Sequence, residues 1–140
     1  ETIRTLMEAG QVVIGCGGGG IPVYRTEGNH LKGAGAVIDK DFASELLAES
    51  LDADALIILT AVEKVAINFG KPNQTWLDSL TPAEAKVYME RGHFAPGSML
   101  PKVQAAVKFA ASKPGRTALI TLLEKAKDGI AGKTGTAVSM

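Results

Sequence analysis

Residues 55–59 are Ala-Leu-Ile-Ile-Leu, an unbroken apolar run that begins after Asp54 and ends at Thr60. Such a run is typical of a strand that is covered on both faces, an arrangement found mainly in parallel sheets. Immediately before it, apolar residues recur at helical spacing from Asp41 to about Leu51. A helix followed by a buried strand favours an α/β fold in which the chain alternates between the two elements.

The rest of the chain continues this alternation. Apolar spacing and turn residues predict helices over residues 1–9, 81–91, 99–112 and 123–128. The same criteria predict strands over residues 11–15, 65–69 and 117–122, an edge-like strand over 135–138, and a hairpin or excursion between 21 and 38. The residues Thr81-Pro82-Ala83-Glu84 form a capping box with proline at the first helical position. We therefore expect one α/β unit with a mostly parallel sheet and helices on both faces.

Composition narrows the classes of function. The 140 residues carry 15 Lys and Arg against 15 Asp and Glu, which gives no electrostatic footprint for DNA or RNA. No run of about 18 apolar residues predicts a membrane span, and no signal-like segment is recognisable, so we expect a cytoplasmic protein. The single cysteine, Cys16, excludes an internal disulfide, and His30 and His93 are too few and too far apart to favour a zinc site.

The glycine run at residues 17–20 is the first candidate for binding chemistry. It directly follows the predicted strand 11–15. Consecutive glycines permit positive φ and let backbone N–H groups approach a phosphate or carboxylate closely. The run leads into neither a helix nor a GK[ST] sequence, so it matches neither a dinucleotide fingerprint nor a Walker-type loop. We favour anion contact, and a flexible turn is the alternative.

Two predicted helix starts carry a lysine that opposes the helix dipole. Lys40 lies between Asp39 and Asp41, and Lys102 follows Pro101. A cation is unfavourable at the positive end of a helix unless an anion binds there as well. Cations and N–H donors around one anion are the main requirement of phosphoryl transfer. The two lysines and the glycine run therefore indicate a phosphate site, with solvated surface lysines as the alternative.

Residues 60–65 leave the most apolar strand and alternate small with β-branched side chains. That composition suits a flat wall against a nucleotide base, and it suits a packed connection between strands equally well. We interpret His93 as structural and Trp76 as part of the core or of an interface. Nothing near Cys16 marks it as a nucleophile.

Four segments together resemble carbamate kinase, of the amino acid kinase superfamily. They are residues 17–23 (Gly-Gly-Gly-Gly-Ile-Pro-Val), 36–41 (Ala-Val-Ile-Asp-Lys-Asp), 67–72 (Ile-Asn-Phe-Gly-Lys-Pro) and 92–103 (Gly-His-Phe-Ala-Pro-Gly-Ser-Met-Leu-Pro-Lys-Val). The resemblance extends in the right order over nearly the whole chain, and the segment 92–103 is the most specific part of it.

The resemblance implies an αβα sandwich, usually a homodimer, that transfers a phosphoryl group reversibly between carbamoyl phosphate and ADP, giving ATP with Mg²⁺. It assigns catalytic roles to Lys40 and Lys102, which would contact the transferring phosphates and neutralise their charge. It also assigns a catalytic role to Asp41, which would orient these lysines or help with the metal. It assigns no other residue of this chain to a metal. The implied nucleotide-binding residues are Gly17, Gly18, Gly19, Gly20, Thr60, Val62, Val65, Asn68, Phe69, Met99 and Pro101.

The sequence also departs from the family. The superfamily's common TDxxGVY pattern in the nucleotide loop is altered at Ala61, Lys64 and Ala66. The first glycine-rich motif and a further lysine, which lie in the amino-terminal half of carbamate kinases, do not occur. We therefore expect residues 1–140 to form the carboxy-terminal, nucleotide-binding part, with the missing amino-terminal half as its partner, and the start at Glu1 agrees with a piece of a longer protein.

Two other functions remain open at this point. One is a non-catalytic module that binds a nucleotide without transferring phosphate. The other is an amino acid kinase that acts on a carboxylate, against which the segment 92–103 counts.

Overall fold

The computed structural model describes residues 1–140, which form a mixed arrangement of helices and short strands. The helices are α1 (Thr2–Glu8), α2 (Lys40–Leu51), α3 (Pro82–Glu90), α4 (Met99–Ser112) and α5 (Ala126–Ile130). The strands are β1 (Val23–Arg25), β2 (Leu31–Gly33), β3 (Ala55–Thr60), β4 (Val65–Ile67), β5 (Thr75–Leu77), β6 (Ser79–Leu80), β7 (Thr117–Leu122) and β8 (Thr136–Val138).

The central sheet has four strands in the order β3-β7-β8-β6. Strand β3 runs parallel to β7, with Ala55 opposite Thr117 and Thr60 opposite Leu122. Strands β6 and β8 are also parallel, whereas β7 and β8 are antiparallel. The sheet is thus mostly parallel, which confirms the fold class expected from the apolar run.

Helices cover both faces of the strand β7. Ala118 and Ile120 belong to the buried core together with Phe109 of α4. Gly129 of α5 approaches Leu119 and Thr121, which point to the opposite face because side chains alternate along a strand. Helices α2 and α4 therefore form one layer and α5 belongs to the other. No helix is both long and apolar enough to cross a membrane.

Helices α2 and α4 lie side by side and start at the same end. Three ion pairs join them in order: Asp41 with Lys102 at 2.9 Å, Glu45 with Lys108 at 2.6 Å, and Asp52 with Lys113 at 2.8 Å. Because the pairs advance together along both helices, the two helices are parallel. Their amino-terminal ends, with their exposed N–H groups, consequently lie next to each other.

Two smaller sheets flank this unit. Strands β1 and β2 form the exposed hairpin expected between residues 21 and 38. Strands β4 and β5 form an antiparallel pair in which Val65 faces Leu77. Strand β4 ends at Ile67, two residues earlier than expected, because Asn68 adopts a positive φ of 53°.

Residues 11–15 do not form the expected strand. They pair with no neighbouring strand, and the side chains of Val12 and Ile14 are 97% and 98% exposed. A β-branched pattern supplies side chains that suit a strand, but a strand also needs a partner for its backbone groups.

Two expectations about the strands were wrong, one about the burial of β3 and one about the place of β8 in the sheet. Strand β3 is covered on one face only, because Leu56 and Ile58 are buried while Ile57 and Leu59 are each 40% exposed. Strand β8, expected at an edge, lies between β7 and β6. The two short strands β5 and β6 were not predicted.

The capping box of α3 gives a first prediction. The Thr81 Oγ1 accepts from the Glu84 N–H at 3.3 Å, and the Glu84 carboxylate accepts from the Thr81 N–H at 2.9 Å. We expect Thr81→Ala to lower the free energy of unfolding by about 1 kcal/mol in urea denaturation. Ser98→Ala is the matched control, since Ser98 occupies the same position before α4 without a capping hydrogen bond, and it should change the value little. Equal losses for both variants would contradict this account.

Glu45 gives a second prediction. It is fully buried, its Oε2 accepts from Lys108, and its Oε1 has no donor. Burial, together with the neighbouring Glu49 carboxyl, raises the pKa of Glu45 by more than Lys108 lowers it. A raised pKa means that the folded chain binds the proton more tightly than the unfolded chain does. The resulting stabilisation is present in full below the pKa of the unfolded state, about 4.3, and it is lost as the pH rises through the pKa of the folded state.

We therefore expect the stability of the unchanged chain relative to Glu45→Gln to rise as the pH falls from neutral, because glutamine cannot take up the proton. Urea denaturation of both chains over this pH range measures the difference. A difference that does not vary with pH would show that Glu45 is no more easily protonated in the folded chain than in the unfolded one.

Candidate functional site

A cavity of about 170 Å³ lies at the carboxyl end of β3. Open α/β sheets bind ligands at this edge, where the strands end and the following helices begin. An apolar cavity of about 150 Å³ admits benzene, so this volume suits a flat ring.

Two walls enclose the cavity. One follows β3 and continues through β4, and its lining residues are Thr60, Ala61, Val62, Lys64, Ala66 and Phe69. The other runs from the end of α3 into the start of α4, and its lining residues are His93, Ala95, Ser98 and Met99. Most of these side chains are apolar or small, so the surface favours an aromatic ring over a charged group.

Lys102 lies beside this cavity. It is three residues after Met99 on α4, and residues with this spacing are neighbours on one helix face. Its Nζ donates to both carboxylate oxygens of Asp41, at 2.9 and 3.2 Å. Both side chains are mostly covered, with 23% and 19% of their surface exposed, so the ammonium is held at the joint start of α2 and α4.

The glycine run lies against the start of α2. A Cβ at Gly19 would come within 2.5 Å of the Ile38 carbonyl oxygen, so only glycine allows this approach. Gly19 also has a φ of 98°, and Gly20 one of 113°, which favour glycine at both positions. Ile38 immediately precedes Asp39, whose side chain caps α2 by accepting from the Asp41 and Phe42 N–H groups.

These contacts bring together the three segments that the sequence predicts to bind an anion, namely the glycine run and the starts of α2 and α4. The glycine run touches the entry to α2, Lys40 occupies the first position of α2, and Asp41 holds Lys102 of α4. Lys40 is exposed to solvent. Two helix starts, the Lys102 ammonium paired with Asp41, and a glycine loop thus meet in one region, where backbone N–H groups are available to an anion.

The predicted base-binding residues divide into two groups. Thr60, Val62, Phe69 and Met99 line the cavity. Asn68 borders it through its backbone, whereas Val65 is fully buried in the core and Pro101 lies in the first turn of α4. Val65 lies between Lys64 and Ala66, which line the cavity, so its side chain points to the opposite face of β4. Its N–H donates to the Thr136 Oγ1 at 2.8 Å and ties β4 to β8.

Three further lining residues, Ala61, Lys64 and Ala66, lie in the nucleotide loop that the sequence analysis had singled out. Sequence reasoning did not assign the lining residues His93, Ala95 and Ser98 to the site. Ala95 and Ser98 lie within the segment 92–103, whose specificity was a usable signal. His93 was interpreted as structural, and the structure gives its ring a place both on the cavity wall and against Tyr88.

Comparison with known proteins identifies the family of the chain. Residues 1–121 match the model of the amino acid kinase family. The chain is 68% identical over 138 residues to the carbamate kinase-like protein YqeA of Escherichia coli and 53% identical over 138 residues to a carbamate kinase of Clostridium perfringens. These matches cover 99% of this chain but 44% of each relative, so the chain spans less than half the length of either.

A solved structure extends the comparison to three dimensions. The carbamate kinase of Giardia lamblia bound to AMP-PNP superimposes with a TM-score of 0.92 at 42% identity, over 99% of this chain and 48% of that one. With a matching family model, close sequence relatives and a shared fold, the chain belongs to the amino acid kinase family.

Proposed function

We propose that this chain provides the ADP and ATP site of a carbamate kinase, which transfers a phosphoryl group reversibly between carbamoyl phosphate and ADP to give ATP and carbamate. The observation that carries the proposal is the Asp41–Lys102 pair, set beside an apolar cavity at the joint start of α2 and α4. Identity of 68% and 53% to carbamate kinase-like and carbamate kinase sequences, along almost the whole chain, supports the choice of reaction.

The cavity would hold the adenine ring. Its walls offer Val62 and Met99 to the ring faces, and Phe69 lies at the rim, stacked edge-on with Trp76 at 6.2 Å. Because Met99 opens α4, a base in the cavity would direct its phosphates along the start of that helix toward Lys102.

The phosphates would then meet the cationic region. Lys102 and Lys40 would neutralise the charge on the transferring group, and the N–H groups of the glycine run and of the two helix starts would donate to its oxygens. Phosphoryl transfer depends mainly on such positioning and charge stabilisation, so this chain needs no nucleophile of its own for that part of the reaction.

Asp41 has a distinct role in this scheme. It holds the Lys102 ammonium in place before a ligand binds, so that little side-chain ordering remains to be done on binding.

The residues of this chain do not fit a metal ion held by the protein alone. Nowhere do three or more His, Cys, Asp and Glu side chains converge on a point that could hold one. Asp41 is engaged by Lys102, and Asp39 caps α2. Mg²⁺ usually binds through substrate phosphates and one or two carboxylates, so the ion would have to arrive with the nucleotide.

The reaction would also need parts that the chain does not contain. Contacts to carbamoyl phosphate belong, in this proposal, to the remaining part of the enzyme, since the chain matches 44% of its relatives. The family resemblance is the basis for proposing that the assembled enzyme is a homodimer, that it acts in the cytoplasm and that it serves arginine metabolism.

The phosphate role of Lys102 gives a third prediction. We expect Lys102→Ala to weaken ADP binding at least about tenfold, because a charge-assisted hydrogen bond contributes about 1.5–3 kcal/mol. Adenosine, which has no phosphate, should bind equally well to both chains. Calorimetric titration with the two ligands measures both effects.

Lys127→Ala is the matched control, because it removes the same charge from an exposed position on α5. It should leave both affinities unchanged. An equal loss of ADP and adenosine binding in Lys102→Ala would contradict the phosphate role, and an unchanged ADP affinity would leave a site that recognises the base alone.

The division of the reaction gives a fourth prediction. We expect the chain alone to form little ATP from carbamoyl phosphate and ADP. Adding the part of the E. coli YqeA protein that this chain does not match should raise the rate if the two parts associate. The readout is ATP formation measured by a coupled assay, with the Lys102→Ala chain as the negative control.

Rapid ATP formation by the chain alone would overturn the claim that the other part is needed. If the chain binds ADP but forms no ATP either alone or with the added part, a non-catalytic nucleotide-binding module would be favoured instead.

A further inference from the structure

One hydrogen bond joins the two walls of the cavity. The backbone N–H of Asn68, at the end of β4, donates to the Nδ1 of His93 at 3.4 Å. No other hydrogen bond connects residues 60–74 with residues 91–99. The separation of the walls therefore depends on this bond and on packing.

The Asn68 side of the bond belongs to a turn held by its own hydrogen bonds. Asn68 has a φ of 53°, and its carbonyl accepts from the Lys71 N–H at 3.0 Å. The Gly70 N–H donates to the Gln74 Oε1 at 2.8 Å. The turn presents Phe69 to the cavity, so fixing Asn68 also fixes this part of the wall.

The His93 side of the bond is fixed by the end of α3. Gly92, with a φ of 70°, donates to the Met89 carbonyl, and His93 donates to the Tyr88 carbonyl, each at 3.0 Å. This pair of bonds is the Schellman motif, which sets the direction of the chain as it leaves a helix. The His93 ring packs edge-on against Tyr88, with centroids 5.6 Å apart.

The imidazole takes part in this bond through Nδ1, which acts as the acceptor. We propose that His93 is a positioning residue that holds the two walls of the cavity at the separation needed by a flat base. This inference rests on the proposed nucleotide site and adds to it the residue that shapes the base pocket.

The proposed advantage is pre-organisation. A ligand that enters a cavity whose walls are already placed does not have to order them, and this saving appears as affinity. The effect should reach any ligand that contains the base, with or without phosphates. It is thereby distinct from the effect of Lys102, which acts on the phosphates alone.

Two substitutions separate the acceptor from the ring. His93→Phe keeps an aromatic ring against Tyr88 but offers no acceptor to Asn68. His93→Gln loses the ring but offers a carbonyl oxygen as acceptor. His30→Phe is the matched control, because His30 is the other histidine of the chain and lies exposed beside the β1–β2 hairpin.

We expect His93→Phe to weaken ADP and adenosine by the same factor, about three- to tenfold, as expected for the loss of one hydrogen bond. His93→Gln should recover part of this loss, and His30→Phe should show none. Hydrogen exchange of the Asn68 amide, measured by NMR without ligand, should be faster in His93→Phe than in His93→Gln.

The outcomes separate this inference from the proposed function. Unchanged ADP affinity in His93→Phe overturns the inference and leaves the nucleotide site standing. Equal losses of affinity in the phenylalanine and glutamine variants also overturn it, since an acceptor without the ring would then be no better than a ring without the acceptor. Failure of the unchanged chain to bind ADP overturns the proposed nucleotide site and this inference with it. Urea denaturation of every variant shows whether it is folded. If the phenylalanine variant does not fold, the glutamine variant is compared with the unchanged chain, and slow exchange of the Asn68 amide with most of the ADP affinity kept supports the inference. Fast exchange with the ADP affinity fully kept overturns it.

Discussion

Strands β3 and β7 run parallel over six residue pairs, and this pairing governs where the site can form. Parallel neighbours cannot be joined by a tight turn, so the chain must return between them through a crossover that includes α4. A helix that returns along a parallel sheet begins at the carboxyl edge of the strands. The start of α4 is therefore placed next to Thr60 and the residues that follow β3, where the cavity lies.

The same constraint brings unfavourable charges together. The ion pairs between α2 and α4 align the two helices in parallel, so two positive helix ends and the ammonium groups of Lys40 and Lys102 share one region. Asp39 and Asp41 balance the formal charge of the two lysines, so the N–H groups of the two helix starts are the remaining source of positive potential. An anionic ligand can therefore be attracted to this region although neither the region nor the chain has a net formal charge.

Local signals in the sequence predicted local structure well. The capping residues Thr81 and Glu84 and the apolar spacing of α2 and α4 depend on neighbours along the chain, and the structure contains these elements within about two residues of the expected bounds. Strand order could not be obtained in this way. Residues 11–15 have the side chains of a strand but no partner, and β8 lies inside the sheet although its sequence resembles an edge. Pairing is decided by distant segments, which no local pattern contains.

The candidate site shows the same division. The lysines at the helix starts were recognisable because a cation there conflicts with the dipole, and a conflict within one turn is visible in the sequence. The place of His93 was not recognisable, because it depends on the meeting of the α3 cap with the turn after β4. A histidine that packs against Tyr88 looks structural when it is considered with its sequence neighbours alone. In the folded chain the same packing aims its Nδ1 at Asn68, so structural and functional roles coincide in one ring.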